Sequence, residues 1–281
     1  MQGEAFSLDI PGLRIEGLRW KMGKRPMLAI HGWMDNAASF SQLAPLLRGF
    51  DVHAIDLAGH GYSGWRSADA RYHLIDYVYD VSQILHALGW SQCVVLGHSM
   101  GAAIAALLAA AQPAQVEQLV LLEGLGPLAS APESSLQHLQ HAFSTDHQSM
   151  AKSTSLVQWD TVSVRRQQAM GGLSQQAAES LLLRSLEPVE GGYRWRSDRR
   201  IAFSSSQRFT EEQVMNILSG ILAPVLLLVA TEGWLLKLPT LQQRQEIIAQ
   251  LQRYDLPGSH HFHLELSSVQ AVVEHILSVC A

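Results

Sequence analysis

The chain has 281 residues, of which 47% are hydrophobic and 16% are charged, and its formal net charge at pH 7 is −5. This length is sufficient for one large α/β domain with an inserted element, and the sparse charge suits a buried parallel sheet. The negative charge argues against nucleic acid or an anionic membrane as the main partner, and no apolar run approaches the length of a bilayer span.

The first half of the chain is predicted to alternate between strands and helices. Residues Leu8 to Trp20 predict an antiparallel pair of strands at a sheet edge. The elements predicted after it are strand Met27–Ile30, helix Phe40–Leu47, strand Val52–Ile55, helix Ile75–Leu88, strand Val94–Leu96, helix Ala102–Ala111 and strand Leu119–Leu122. This alternation predicts an α/β fold with a mostly parallel, doubly wound sheet, in which ligands bind at the carboxyl ends of the strands.

The composition changes between about Leu128 and about Ser219. This segment is rich in Ser and Gln, and it contains predicted helices at Gln175–Leu186 and Glu211–Leu218. It is followed by a strand at Pro224–Ala230, a short strand at Arg253–Leu256 and a closing amphipathic helix at Val269–Val279. We therefore predict a core formed by residues 1–127 and 220–281, with residues 128–219 as an insertion between two core strands.

The most specific chemical motif is Gly97-His98-Ser99-Met100-Gly101, which has the pattern Gly-x-Ser-x-Gly. A short β-branched strand precedes it, and an Ala-rich helix-forming run follows it. A strand that enters a helix through two glycines makes a sharp turn that holds the serine in a strained and exposed position. The context therefore favours a nucleophilic Ser99 over a chance match of five residues.

A nucleophilic serine requires a base, an acid that orients the base, and donors for the oxyanion. The loop before the last helix offers three histidines, His260, His261 and His263, and the carboxylate of Glu265. A metal-binding histidine cluster is a weaker interpretation, because neither Cys nor Asp is nearby in the sequence to complete a tetrahedral site.

Several blocks of the sequence resemble the α/β-hydrolase superfamily. They are the His31-Gly32 pair after a buried strand, the turn from Asp56 through Gly59-His60-Gly61 to Ser63, the Gly-x-Ser-x-Gly motif, and the last loop, in which Gly258-Ser259-His260 precedes Glu265. The resemblance implies that His260 is the base, with His261 as the alternative. It also implies an oxyanion hole formed by the backbone N–H groups of Trp33 and Met100.

Two glutamates are candidates for the acid. The usual place in the superfamily is after the strand that follows the cap, and there the register places Gly233 at the expected carboxylate position, with Glu232 one residue early. Some subfamilies, certain haloalkane dehalogenases among them, instead carry a Glu four residues before a proline after the preceding core strand. Glu123 fits that register, so we favour Glu123 and keep Glu232 as the alternative acid.

A literal Gly-x-Gly-x-x-Gly pattern, at Gly59, Gly61 and Gly64, also suggests a dinucleotide site. That fingerprint requires a helix to begin at once, so that its N-terminus meets the pyrophosphate. Here a polar loop follows, and the next helix is predicted to begin near Leu74. We therefore expect no dinucleotide and no other cofactor.

The resemblance implies a serine hydrolase whose insertion, residues 128–219, is a helical cap. Candidates for the apolar underside of the cap are Trp159, Met170, Trp195 and Phe203. The expected reaction is cleavage of a carboxylic ester or related acyl bond of a small, largely apolar substrate through an acyl-enzyme. The alternatives are a carbon–carbon bond hydrolase or an acyltransferase with the same triad, or a catalytically weak ligand-binding homologue.

The remaining features concern the compartment and the partners. Residues Met1 to Pro11 are acidic and lack the basic region and apolar core of a signal peptide. Cys93 begins a predicted buried strand and Cys280 lies near the end of the chain, so we expect no disulfide and a cytoplasmic protein. The expected partner is a small-molecule ester or acyl substrate, with no metal, and the sequence leaves the oligomeric state open.

Overall fold

The structure is a computed structural model. It describes residues 2–151, 156–169 and 171–280, and for residues 145–151 it describes the backbone but not the side chains. Met170, one of the residues expected beneath the cap, lies outside the described residues.

An eight-stranded sheet forms the centre of the molecule. The strands in chain order are β1 (Glu4–Ile10), β2 (Leu13–Lys21), β3 (Gly23–Ile30), β4 (Gly49–Ile55), β5 (Cys93–His98), β6 (Val116–Leu122), β7 (Leu186–Val189), β8 (Gly192–Trp195), β9 (Val225–Ala230) and β10 (Leu251–Leu256). The order in the sheet is β1-β2-β4-β3-β5-β6-β9-β10, while β7 and β8 form a separate antiparallel hairpin. Only the pairs β1–β2 and β2–β4 are antiparallel within the described sheet, which confirms the predicted mostly parallel α/β fold.

Helices cover both faces of the sheet. In chain order they are α1 (Leu74–Ala87), α2 (Met100–Ala111), α3 (Ser135–Ala151), α4 (Trp159–Gln167), α5 (Gln175–Ser185), α6 (Glu211–Leu218), α7 (Leu241–Ile247) and α8 (Val269–Val279). Side chains of β3 alternate between two apolar layers: Leu28 and Ile30 pack with α1 and α2, and Met27 and Ala29 pack with α8. Because both faces are buried, the central strands are continuous apolar runs in the sequence.

The predicted helix Phe40–Leu47 is wrong. The segment forms two short 3₁₀ turns, Ala37–Phe40 and Ala44–Leu46. The Asn36 side chain caps the first turn by accepting the Ala38 backbone N–H at 3.0 Å. Pro45 lies in the second turn, where it supplies no backbone N–H and its ring disfavours a continuous α-helix through the segment.

The insertion contains α3, α4, α5, the β7–β8 hairpin and α6. Trp159 packs with Tyr193, Val162 and Leu182 in a small apolar cluster of the insertion itself. In contrast, α6 packs on α2, and its Val214 side chain belongs to the large core layer, although α6 lies within the predicted range 128–219.

Polar contacts hold the insertion against the carboxyl ends of the strands. The Arg184 guanidinium pairs with Asp56 at 2.8 Å, and the Asn36 side chain donates to the Leu181 carbonyl at 2.9 Å. The indole N–H of Trp33 donates to the Ile201 carbonyl at 2.9 Å. The insertion therefore covers the sheet edge to which the candidate site residues were assigned. Across the described part of the chain, no helix combines the length and apolarity that crossing a membrane requires.

Candidate active site

Ser99 occupies the turn between β5 and α2. Its φ of 53° and ψ of −116° lie in a region that residues other than glycine seldom adopt. The turn closes only because its flanking residues lack side chains: a Cβ on Gly97 would lie 2.4 Å from the Gly101 carbonyl oxygen, and one on Gly101 would lie 2.0 Å from the Ile30 carbonyl oxygen. Ser99 is half-buried at the carboxyl end of β5.

Glu123 lies at the equivalent position on the neighbouring strand β6. The Ser99 backbone N–H donates to the Leu122 carbonyl at 2.9 Å, so the turn at Ser99 is attached directly to the end of β6. Glu123 also has a positive φ, 51°, which directs the chain sharply away from the strand. Both residues therefore adopt strained backbone conformations at adjacent strand ends, as is common at functional sites.

The Glu123 carboxylate is fully buried and carries several hydrogen bonds. Its Oε1 accepts the Ala230 backbone N–H at 2.8 Å, and its Oε2 accepts those of Trp234 at 3.1 Å and Leu235 at 3.4 Å. Nδ1 of His260 lies 3.2 Å from Oε2. A buried carboxylate is costly unless it is paired, and here backbone donors and one imidazole supply the partners.

The other acid position is incompatible with this arrangement. A Cβ on Gly233 would lie 2.2 Å from Oε2 of Glu123, so the carboxylate occupies the space that a side chain at position 233 would need. Glu232 is exposed, and its backbone N–H donates to the Gly258 carbonyl at 3.0 Å. The structure thus brings Glu123 to His260, while Glu232 contributes its backbone to the His260 loop.

His260 is held at two points. Its Nδ1 lies 3.2 Å from Oε2 of Glu123, so Nε2 is the ring nitrogen that faces away from the carboxylate. Its backbone carbonyl accepts a hydrogen bond of 2.9 Å from Nε2 of His98, the residue that precedes Ser99. The rings of His98 and His260 pack with their centroids 4.7 Å apart. The serine turn and the histidine loop are therefore joined by a buried side chain.

The other two histidines of the loop have different partners. Nε2 of His261, the alternative base, lies 3.2 Å from Oδ2 of Asp35. Nε2 of His263 lies 3.0 Å from the Ser39 hydroxyl, and burial holds the pKa of His263 well below its ordinary value. The Arg166 guanidinium donates to the other Asp35 oxygen, and Arg166 and His261 hold the pKa of the Asp35 carboxyl well below its ordinary value against the opposing effect of burial.

The predicted oxyanion donors flank Ser99. A Cβ on Gly32, the residue before Trp33, would lie 3.2 Å from the Ser99 Cβ, so this loop packs against the serine. Met100 is the first residue of α2, where a backbone N–H has no acceptor within the helix. His31 supports the loop: burial lowers its pKa to about 4, and the neutral ring accepts the Leu57 N–H at 3.0 Å.

The glycine-rich stretch forms a turn around the Asp56 carboxylate. Asp56 accepts the backbone N–H groups of Ala37 at 2.7 Å and Tyr62 at 2.8 Å. Gly61 has a φ of 51°, and a Cβ there would lie 2.3 Å from the Asp56 carboxyl carbon. Because α1 begins only at Leu74, no helix N-terminus follows these glycines, and the turn is organised around Asp56.

Asp35, His98 and Arg166 are not among the site residues that the sequence predicts. Asp35 lies four residues after His31, in the loop that follows β3. Its nearness to the His31-Gly32 pair is the sequence signal that could have identified it. Its contacts with His261 and Arg166 join segments far apart in the chain, so no local pattern reports them. No Asp lies near the three histidines in the sequence, whereas in the fold Asp35 contacts His261.

Comparisons with known proteins support the fold and its family. The family model described as alpha/beta hydrolase fold matches residues 25–267. A serine hydrolase-like protein of Dictyostelium discoideum is 32% identical over 287 residues, covering 95% of this chain and 79% of the relative. The crystal structure of a hypothetical protein from Pseudomonas aeruginosa PAO1 has a TM-score of 0.90 and 37% identity, covering 96% of this chain and 97% of that one. The thioesterase domain from the curacin biosynthetic pathway has a TM-score of 0.86 and 26% identity, covering 99% and 100%.

Proposed function

The chain belongs to the alpha/beta hydrolase fold family, and we propose that it is a serine hydrolase in which Ser99, His260 and Glu123 form the catalytic triad. The observation that carries this proposal is the 3.2 Å contact between His260 Nδ1 and the buried Glu123 carboxylate. The strained turn at Ser99 supports it, as do relatives that bear the name serine hydrolase-like.

The proposed reaction begins with attack on an acyl carbon. Nε2 of His260 removes the Ser99 Oγ proton, and Oγ forms a bond to the carbonyl carbon of the substrate. The backbone N–H groups of Trp33 and Met100 stabilise the oxyanion, with about 3 kcal/mol of barrier reduction for each donor. The tetrahedral intermediate collapses as His260 gives its proton to the leaving oxygen.

The second half of the reaction releases the acid. Water attacks the acyl-enzyme as His260 accepts one of its protons, and the Ser99 Oγ leaves with that proton. Glu123 acts throughout by accepting the Nδ1–H of His260. That hydrogen bond keeps the Nε2 lone pair directed to proton transfer and stabilises the imidazolium that forms.

We propose that the substrate is a carboxylic ester or related acyl compound of small size and largely apolar character. Trp33, which is 53% exposed, and Met34, which is 37% exposed, supply apolar surface beside the proposed oxyanion donors. The similar thioesterase domain acts on a thioester by its name, so thioesters belong in the panel of substrates. We propose that the insertion acts as a cap that limits water and shapes the acyl pocket.

The test uses a fluorophosphonate probe together with p-nitrophenyl esters and thioesters of increasing chain length. We expect wild-type protein to be labelled at Ser99 and to turn over short esters, and the Ser99→Ala variant to do neither while its circular dichroism is unchanged. Labelling of the Ser99→Ala variant at another residue would contradict the assignment. Labelling of the wild type without ester or thioester turnover would favour carbon–carbon hydrolysis or acyl transfer. Absence of labelling would favour a catalytically weak ligand-binding homologue.

A further inference from the structure

A buried cluster beside the proposed triad has the composition of a metal site. Asp35, His98 and His261 each offer one ligand atom, and these atoms all lie within 4.8 Å of one another. Each residue is at most 3% exposed. The three residues come from separate segments: the loop after β3, the end of β5 and the loop before α8.

The hydrogen bonds of His98 determine where its proton lies. Nε2 must donate, because its partner at 2.9 Å is the His260 carbonyl, which can only accept. A neutral imidazole carries a single N–H, and in His98 that hydrogen is on Nε2. Nδ1 therefore carries a lone pair.

That lone pair faces another acceptor. Nδ1 of His98 lies 3.7 Å from Oδ2 of Asp35. Within the described ranges, no hydrogen-bond donor reaches this buried nitrogen. Without an ion, Oδ2 can accept the Nε2–H of His261 at 3.2 Å, but Nδ1 of His98 is left without a partner. A positive centre between Nδ1 and Oδ2 would supply that partner.

The distances suit a small metal ion. Oδ2 of Asp35 lies 3.7 Å from His98 Nδ1 and 3.2 Å from His261 Nε2. Ligands at about 2.0–2.1 Å from a tetrahedral zinc ion are separated by roughly 3.4 Å, and these two distances bracket that value. The two imidazole nitrogens lie within 4.8 Å of one another. Two imidazole nitrogens and one carboxylate oxygen are also a ligand set that zinc and similar ions accept.

The surrounding groups match those that usually support metal ligands. The Nε2–H of His98 donates to the backbone carbonyl of His260, which orients Nδ1. The Arg166 guanidinium donates to Oδ1 of Asp35, which orients Oδ2. Such outer contacts orient ligands toward a metal.

We propose that Asp35 Oδ2, His98 Nδ1 and His261 Nε2 bind one divalent transition-metal ion of the zinc type, with a fourth position for water. Binding uses the Nε2 lone pair of His261, so the neutral ring carries its proton on Nδ1 in the bound form. The ion joins the segments that carry Ser99 and His260, and we therefore expect it to raise the midpoint of thermal unfolding.

The experiment titrates chelator-treated full-length protein with ZnCl₂ by calorimetry and records its thermal unfolding. We expect one ion per chain and, at 100-fold excess over the dissociation constant, an unfolding midpoint raised by about 5 °C or more. His261→Gln and Asp35→Asn should each weaken binding by at least about 100-fold. Both variants are checked for folding by circular dichroism.

Two controls separate this site from other sources of binding. His260→Gln removes the proposed base on the same loop and should leave zinc binding within about threefold, which keeps this result independent of catalysis. The double variant His138→Ala/His141→Ala removes a histidine pair of α3 and should also bind normally.

A spectroscopic readout covers the case in which the ligand variants fail to fold. Co²⁺ added to wild-type protein should give the intense visible absorption of a tetrahedral site rather than the weak bands of the hydrated ion. The proposal is overturned if wild-type protein binds neither ion stoichiometrically, if His261→Gln and Asp35→Asn bind as the wild type does, or if only the α3 double variant loses binding.

Discussion

Nε2 of His98 donates a hydrogen bond of 2.9 Å to the backbone carbonyl of His260, 162 positions along the chain. His98 is also the residue before Ser99, so one side chain sets the position of the histidine loop relative to the serine turn. Proton transfer between a nucleophile and its base is sensitive to displacements of about 1 Å, and this buried contact resists such displacement. The triad proposed here therefore depends on a residue that does not itself react.

Glu123→Gln is expected to lower kcat by up to about 10⁴-fold with little change in KM, because the amide cannot stabilise the imidazolium of His260 as a carboxylate does. Steady-state kinetics on an ester that the wild type accepts measures the effect. Glu232→Gln is the matched control, since Glu232 is exposed, and it should retain kcat within about twofold. A larger loss in Glu232→Gln than in Glu123→Gln would transfer the role of acid to Glu232.

His260→Ala is expected to reduce kcat by about 10⁴-fold or more, because proton removal from Ser99 then has no base. His261→Gln should cost less than about tenfold, since the ring of His261 is bonded to Asp35 rather than to Glu123. Both variants are compared by burst kinetics and by the rate of fluorophosphonate labelling. If His261→Gln proves to be the inactive variant, His261 is the base.

Gly233→Ala is expected to destabilise the protein by about 1–3 kcal/mol, because the new Cβ would lie 2.2 Å from the Glu123 carboxylate and the structure must shift to accept it. Displacement of Glu123 should lower kcat in the same variant. Urea denaturation gives the change in the free energy of unfolding. Gly220→Ala is a suitable comparison, because Gly220 is exposed and its nearest contact would be 3.2 Å. Equal effects of the two substitutions would argue against the clash.

The sequence predicted the parts of the site that depend on local pattern. The strand before Ser99, the helix after it and the bounds of α8 follow from apolar runs, and these are strong local signals. The prediction of a helix at Phe40–Leu47 is wrong because Asn36 and Pro45 favour two separate short turns. The preference for Glu123 rested on a register shared with some subfamilies. The Glu123 carboxylate occupies the space beside Gly233, and this contact joins the ends of β6 and β9. A contact between two distant segments leaves no local pattern in the sequence.

Asp80 is expected to make stability depend on pH in a defined window. Burial raises the pKa of this carboxyl to about 6 from 3.8, and the adjacent Arg66 offsets only part of the rise. Between pH 4 and 6 the folded protein binds this proton more tightly than the unfolded chain does, so stability falls as the pH rises. Each pKa unit is worth about 1.4 kcal/mol, which predicts a relative loss of up to ~3 kcal/mol.

The measurement compares wild type with Asp80→Asn by urea denaturation at pH 4, 5, 6 and 7. The free energy of unfolding of the wild type should decrease relative to that of the variant across this range and then level off. Asp9→Asn, at an exposed position on β1, should show no comparable change. A difference between wild type and Asp80→Asn that stays constant with pH would show that Asp80 titrates normally.

The Glu123 side chain and a side chain at position 233 would need the same space, and this limits where the acid of the site can be placed. In this chain the Glu123 carboxylate occupies the space that a side chain at position 233 would need. An acid introduced at the end of β9 therefore requires the Glu123 side chain to move or to be shortened. A laboratory transfer of the acid from the end of β6 to the end of β9 should accordingly change both positions together.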